Sequence, residues 1–325
     1  MSINLPQFTS LHTARSFLGQ NDFFAPDNVS TILRLNPKWS YVEPFGLAMI
    51  AAWGEWCVRN GIKIQVENLG RTAAYAWRMH LFEHLGITYE PERVEREEAG
   101  RFLPITRVRN GQDIRNVIAN ISALLHLQDN PESLAAVQYC ISELLRNVVE
   151  HSGSPDGAFV CAQNYSSGKP ARVTIGVADC GVGIRRHLSR AHPAASVDDA
   201  TAISLAMQPG VTGALPGAYG TPENAGAGLF ITRSIAKGSG GYFFVLSGNA
   251  AYRLRRTTGP LQQLELPLDP IADRHDLWSF PHSWQGTVVS MEIRSDQIVD
   301  FDQYFAWIRQ MVPARDSVTR RIRFT

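Results

Sequence analysis

The sequence contains no Gly-Lys-Ser or Gly-Lys-Thr, no complete Gly-x-Gly-x-x-Gly and no Cys-x-x-Cys. The first absence excludes a Walker-type phosphate loop, and the second a Rossmann dinucleotide fingerprint. The nine histidines and four cysteines (Cys57, Cys140, Cys161, Cys180) form no cluster with zinc-ligand spacing. The cysteines fall in apolar periodic segments, as reduced, buried thiols do. A net charge of +1 leaves no global field to recruit nucleic acid or an anionic membrane. No basic-then-apolar stretch opens the chain. The longest apolar run, Phe45–Trp56, is interrupted and shorter than the roughly 20 residues a bilayer span needs. There is no internal repeat and no low-complexity tract. With 44% hydrophobic and 19% charged residues, the expectation is a well-packed cytoplasmic protein of one large domain or two ordinary ones.

Periodicity divides the chain in two. Ile32–Leu35 reads as a short strand, Phe45–Asn60 as a helix closed by Gly61, Lys63–Glu67 as an alternating strand, and Thr72–Leu85 as a second helix followed by Gly86. The charge-rich segment Glu90–Arg101 reads as a linker. Beyond it, Asp113–Leu127 predicts an amphipathic helix, and Asn130-Pro131 supplies an N-cap and an N1 proline for a helix over 131–150. Strands are predicted at Ala158–Gln163, Arg172–Ala178, Tyr242–Ser247, Gln262–Leu268 and Thr287–Arg294, with helices at Leu229–Lys237 and Phe301–Met311. Residues 185–225 are rich in glycine and proline and lack continuous periodicity; a loop of that length is uncommon unless it is functional.

Three segments carry chemistry. Glu143 and Asn147 are four apart on the 131–150 helix and share a face, with His151 four further on. An amide oxygen such as that of Asn147 suits magnesium, and Glu143 could take a proton from an attacking water or hydroxyl. Alone, this pair reads as a solvated polar face. Val173, Ile175, Val177 and Asp179 alternate along a strand, so Asp179 follows three apolar residues into a buried environment and needs a donor. Gly181 and Gly183 follow, allowing a sharp turn, although an ordinary capped turn has the same residues. Gly226-Ala227-Gly228-Leu229 precedes a helix, where glycines let phosphates approach backbone N–H groups.

In this order, with Gly286-Thr287 opening the last long strand, these segments resemble the nucleotide-contacting boxes of the GHKL ATP-binding superfamily. The resemblance covers residues 130–295. It implies an α+β chain whose C-terminal part, 101–325, is a GHKL (Bergerat) α/β sandwich with a mixed sheet, binding ATP and Mg2+. It further implies that Asp179 accepts the exocyclic amine of adenine and that Gly181, Gly183, Ile184 and Thr287 complete the base pocket. Asn147 would hold magnesium, Gly226, Gly228 and Leu229 would lie on the phosphates, and Glu143 would be the base. Residues 185–225 would be the ATP lid, with Thr212 and Asn224 as candidate phosphate contacts.

Residues 1–100 resemble the STAS fold of anti-sigma-factor antagonists. The turn Tyr41-Val-Glu-Pro-Phe-Gly46 stands where those proteins carry Asp-Ser-Ser-Gly, with Pro44 at the phosphoacceptor position. Proline has no hydroxyl, so self-phosphorylation there is excluded.

The expected function is a regulatory Mg-dependent ATPase or serine/threonine protein kinase of the partner-switching type, with a protein partner, a homodimer as an open option, and neither membrane nor nucleic acid as target. The basic tail Arg315–Arg323 is read as solvated. Two alternatives stay open: a nucleotide-dependent interaction module without turnover, and an orphan histidine kinase, for which His126, His80 and His84 are poor phosphoacceptor matches.

Overall fold

Strands that pair in parallel need a crossover, usually helical, between them, and the first half of the chain is built that way. In the computed structural model, which describes residues 1–25, 29–38, 40–70, 73–90, 102–125, 131–165, 171–213, 226–256, 265–294 and 301–312, strand β1 (Ser2–Asn4) leads through β2 (Phe8–Thr9) and helix α1 (Ala14–Gln20) to β3 (Ser30–Arg34). After β4 (Tyr41–Val42), helix α2 (Pro44–Arg59) crosses to β5 (Lys63–Glu67). β1, β3 and β5 form a parallel sheet, and β2 pairs in parallel with β4.

The segment read as one helix over Thr72–Leu85 is two, α3 (Ala73–Arg78) and α4 (Leu81–His84), with Thr72 outside the described residues. Between them His80 is left-handed at φ 62°, and the Met79 carbonyl accepts from the Ile105 amide at 3.1 Å. A tertiary hydrogen bond thus interrupts the helix that periodicity suggested.

The second half forms an antiparallel sheet. Strand β6 (Phe102–Val108) precedes α5 (Gly111–Leu125) and α6 (Pro131–His151), and then come β7 (Ala158–Tyr165) and β8 (Arg172–Asp179). The region expected as a loop contains α7 (Gly183–Leu188) and α8 (Asp199–Ala206), too short for periodicity to reveal. The Asp198 side chain caps α8 by accepting from the Thr201 amide at 2.7 Å. Helix α9 (Gly228–Gly238), the long hairpin of β9 (Tyr242–Leu254) and β10 (His275–Arg294), and α10 (Phe301–Gln310) follow.

The sheet order is β6-β7-β8-β10-β9 with every pairing antiparallel, so among the described residues parallel pairing is confined to the N-terminal half and this sheet is not the mixed one expected. Taken together the chain is α+β. Of the strand predicted at Gln262–Leu268, the described residues 265–268 are not a strand. Their carbonyls go elsewhere: Glu265 accepts from Lys237 Nζ and Pro267 from Arg233 Nη2, two cations of α9 that also lie against the buried Asp273. Most of the linker Glu90–Arg101, His126, Asn224 and the tail Arg315–Arg323 lie outside the described residues.

Both faces of the five-stranded sheet are covered. Val173, Ile175 and Val177 point into one core with α6 and α9, whereas Phe159, Cys161, Ala178, Cys180 and Phe244 point into a second core with the N-terminal half. The centre of that second core is α2. A helix apolar all round belongs in an interior, and residues Pro44–Gly54 of α2 are all buried. The apolar run Phe45–Trp56 is therefore a core helix, and no helix among the described residues is long and apolar enough to cross a membrane.

The start of α2 lies on the backbone of β8. A Cβ at Gly176 would stand 2.1 Å from the Pro44 carbonyl oxygen, and Cys161 Sγ donates to that oxygen at 3.4 Å. Gly176→Ala should therefore lower stability by about 1–3 kcal/mol or more, since backbone rather than a flexible side chain must yield. Gly19→Ala, inside α1 with nothing nearer than 4.0 Å to the added Cβ, should leave stability unchanged or raise it by up to about 1 kcal/mol. Denaturant titration of both variants checks this, and a Gly176→Ala midpoint no lower than the parent's would show that the close contact is unimportant.

Candidate functional site

The alternation of β8 brings Asp179 to the sheet's front face at the strand's end, where it is 1% exposed. Its Oδ1 accepts from the Gly181 amide at 2.7 Å, and its Oδ2 has no hydrogen-bond partner. Burial pushes the carboxyl up to about 7, partly offset by the Gly181 amide and by the Thr287 amide on the facing strand, which lies near the carboxylate without closing a hydrogen bond to Oδ2. A buried acceptor without a donor is costly to keep, so Oδ2 is the atom at which a ligand donor would be most favourable. Because the folded state holds the proton more tightly than the unfolded chain, Asp179 lowers stability progressively as pH rises from about 4 to about 7. Glu43, half-buried just before α2 and pushed up to about 7 as well, acts in the same direction.

The walls around Asp179 are backbone. Thr287 is its register partner across β10, and Gly286, at φ 97°, leaves no room for a side chain: a Cβ there would be 2.3 Å from the Asp179 carbonyl oxygen. Gly181 lies on the last turn of α6, where the Ser152 carbonyl accepts from the Val182 amide at 2.8 Å. Gly183 opens α7 at φ 75°. The next residue, Ile184, is buried, and its amide donates to Ser247 Oγ at 2.9 Å, while that hydroxyl donates to the Gly286 carbonyl at 2.9 Å. Ser247 was not legible beforehand, since a serine inside an apolar strand gives no signal of a second-strand partner.

A second group of residues lies farther back along α6. Glu143 is 5% exposed; its Oε1 pairs with Arg146 Nη1 at 3.2 Å. Burial raises its pKa, Arg146 opposes this and Glu150 adds to it. Its Oε2 faces the start of α9: a Cβ on Gly228 would sit 3.0 Å from that oxygen and 3.3 Å from Asn147 Nδ2. Gly228 therefore packs directly on the Glu143–Asn147 face, with half-buried Leu229 beside it. From Asn147 or Glu143 to Ser152 is five to nine residues, about 8–14 Å along a helix rising ~1.5 Å per residue. Both groups therefore lie along α6 and its C-terminal end.

The rim comes from the 183–213 segment. Gly226, at φ 82°, accepts through its carbonyl from the Gly210 amide at 3.0 Å, which joins this segment to α9. Thr212 offers its carbonyl to His192 Nε2 at 2.9 Å, and Gly213 abuts His187, whose ring lies 4.8 Å from that of His151 at the end of α6. The structure thus gathers Glu143, Asn147, Gly226, Gly228 and Leu229 at one end, and Asp179, Gly181, Gly183, Ile184 and Thr287 at the other, with Thr212 on the rim. His80 and His84 are remote: His84 is held by Glu55 at 3.0 Å behind the sheet.

No group of three or more histidine, cysteine or acidic side chains could hold a metal among the described residues. A magnesium ion shared with phosphates needs only one or two protein oxygens, which Asn147 and Glu143 can offer. No protein-family model matches this sequence, and no curated protein is significantly similar to it.

Proposed function

We propose that these two groups of residues form the ends of a cleft that binds ATP with magnesium and that the chain is a regulatory ATPase or serine/threonine protein kinase acting on a protein partner. The observation that carries the reading is Asp179 Oδ2, a buried acceptor with no hydrogen-bond donor, beside Gly181 and Gly286, where a side chain would collide with backbone and with the Asp179 carboxylate itself. A base bearing an amine would supply the missing donor. Thr287, Gly183 and Ile184 would flank it. At the other end, Gly226, Gly228 and Leu229 would approach the phosphates at the start of α9, where backbone N–H groups are free to donate. Asn147 would present its amide oxygen to magnesium. Magnesium, when bound, would neutralise charge on the phosphates.

Glu143 supports turnover. A buried carboxylate of raised pKa is a better proton acceptor than an exposed one. It would take the proton of a water or of a partner's hydroxyl, and Arg146 would orient it. The same Arg146 contact favours a second reading, since it ties up one carboxylate oxygen. On that reading the nucleotide orders the 183–213 rim and the protein acts as a nucleotide-dependent interaction module.

The deciding experiment is calorimetric titration of the full chain with ATP and magnesium, followed by incubation with γ-phosphate-labelled ATP. Binding with phosphate release supports the ATPase, binding with label on an added partner supports the kinase, and binding alone supports the module. Absence of any ATP binding would sink all three.

A further inference from the structure

The two ends of the cleft are supported by different parts of the chain. Glu143, Asn147 and Gly228 lie on α6 and α9, whose core contains no residue before Leu103 among the described residues. The base end shares that core through Ile184 but is braced in addition by the N-terminal half. The link is Trp284, which sits in an irregular stretch of β10, between register shifts at Ser279/Trp284 and Trp284/Thr287. Bulges of this kind re-aim side chains near sites. Trp284 is 4% exposed, and its indole Nε1 donates to the Asp179 carbonyl at 3.1 Å. The neighbouring Gln285 Nε2 donates to the Cys180 carbonyl at 3.1 Å. Two successive peptide groups at the turn carrying Asp179 are thus held by side chains from one bulge.

The Trp284 ring lies edge-on to Phe23 at 5.5 Å and Phe24 at 5.1 Å. These in turn lie against α2: Phe23 packs on Trp53, whose indole donates to the Phe23 carbonyl at 2.8 Å, and Phe24 packs on Trp56 at 4.9 Å. Aromatic rings in such edge-on contacts fix one another's orientation.

We propose that Trp284 is a positioning residue for the Asp179 carboxylate, and that the N-terminal half, through Phe23 and Phe24, sets how well the cleft recognises the base without setting how well it holds phosphates. This rests on the nucleotide reading above. It gives the N-terminal half a role in ligand selection: whatever moves Phe23 and Phe24 moves Asp179, which lies on the opposite face of the sheet.

The test compares ATP with magnesium tripolyphosphate, which has no base, on the full chain. Trp284→Phe keeps the ring and removes the N–H donor. It should weaken ATP binding about tenfold, the size expected for one lost hydrogen bond, and change tripolyphosphate binding less than about twofold. Phe24→Leu keeps Trp284 and the apolar volume, and should give a smaller loss with the same selectivity. Thermal melting checks that both variants fold. Equal losses for both ligands would mean a merely structural role, and unchanged ATP affinity in both variants would overturn the proposal. A parent protein that binds ATP and tripolyphosphate while Trp284→Phe binds both normally refutes this inference alone. A parent protein that binds neither refutes the nucleotide reading beneath it.

Discussion

Replacing Asp179 by asparagine should weaken ATP binding by about two orders of magnitude or more, and should leave the fold as stable as before or more stable. The two side chains differ in how many acceptors they offer. Asp179 has two carboxylate oxygens: one accepts from the Gly181 amide and the other has no partner. Asparagine has one oxygen. If that oxygen keeps the Gly181 bond, the NH2 group faces the adenine amine, donor against donor; if it turns outward, the Gly181 amide is stranded instead. A lost charge-assisted hydrogen bond costs about 1.5–3 kcal/mol and a stranded donor about 1–3 kcal/mol, and each 1.4 kcal/mol is about tenfold in affinity. Stability should move the other way. With its pKa pushed up to about 7, Asp179 is a buried charge above neutrality, and the amide removes it. The melting temperature of the variant relative to the parent should therefore rise between pH 5 and pH 8. A variant that loses ATP binding and stability together, at every pH, would mark Asp179 as a structural residue.

Glu143→Gln should abolish phosphate release or transfer while retaining ATP binding. General bases contribute roughly 10²–10⁴ in rate, and glutamine keeps the shape that fits between Arg146 and Gly228 while losing the ability to take a proton. Labelled phosphate release from parent and variant, alongside binding measured on both, separates the two effects. Release that survives the substitution would assign the proton to another group, and release absent from both would leave the interaction-module reading standing.

Much of the frame was legible because period is a strong signal in long elements. The β8 alternation placed Asp179 at the end of the strand's front face, and the Asn130-Pro131 start placed the helix bearing Glu143 and Asn147. Failures came where tertiary contacts decided. Nothing in Thr72–Leu85 announces that the Met79 carbonyl will be taken by Ile105. The strand β6 was missed because Pro104 breaks its alternation, and edge strands tolerate proline. The carbonyls of Glu265 and Pro267 went to buried cations instead of a neighbouring strand. Alternation also shows only one face at a time. Gly176, Ala178 and Cys180 lie on the other face of β8 from Asp179, and nothing in the strand itself announces that α2 covers them. Trp284 could not be found from sequence, because its role depends on Phe23 and Phe24, some 260 residues earlier.

The shared second core also bears on how the chain can fold and diversify. Among the described residues, Phe159, Cys161, Phe244, Leu246 and Val288 of the large sheet are covered by the N-terminal half. Separating the halves at the charged segment would leave a greasy sheet surface open to water and to other chains, at roughly 25 cal/mol for each Å² of apolar area bared. The halves should therefore melt in one cooperative transition. Neither can be exchanged in evolution for an unrelated partner by simple gene fusion, because any newcomer would need a helix whose first turn passes as close to Gly176 as Pro44 does.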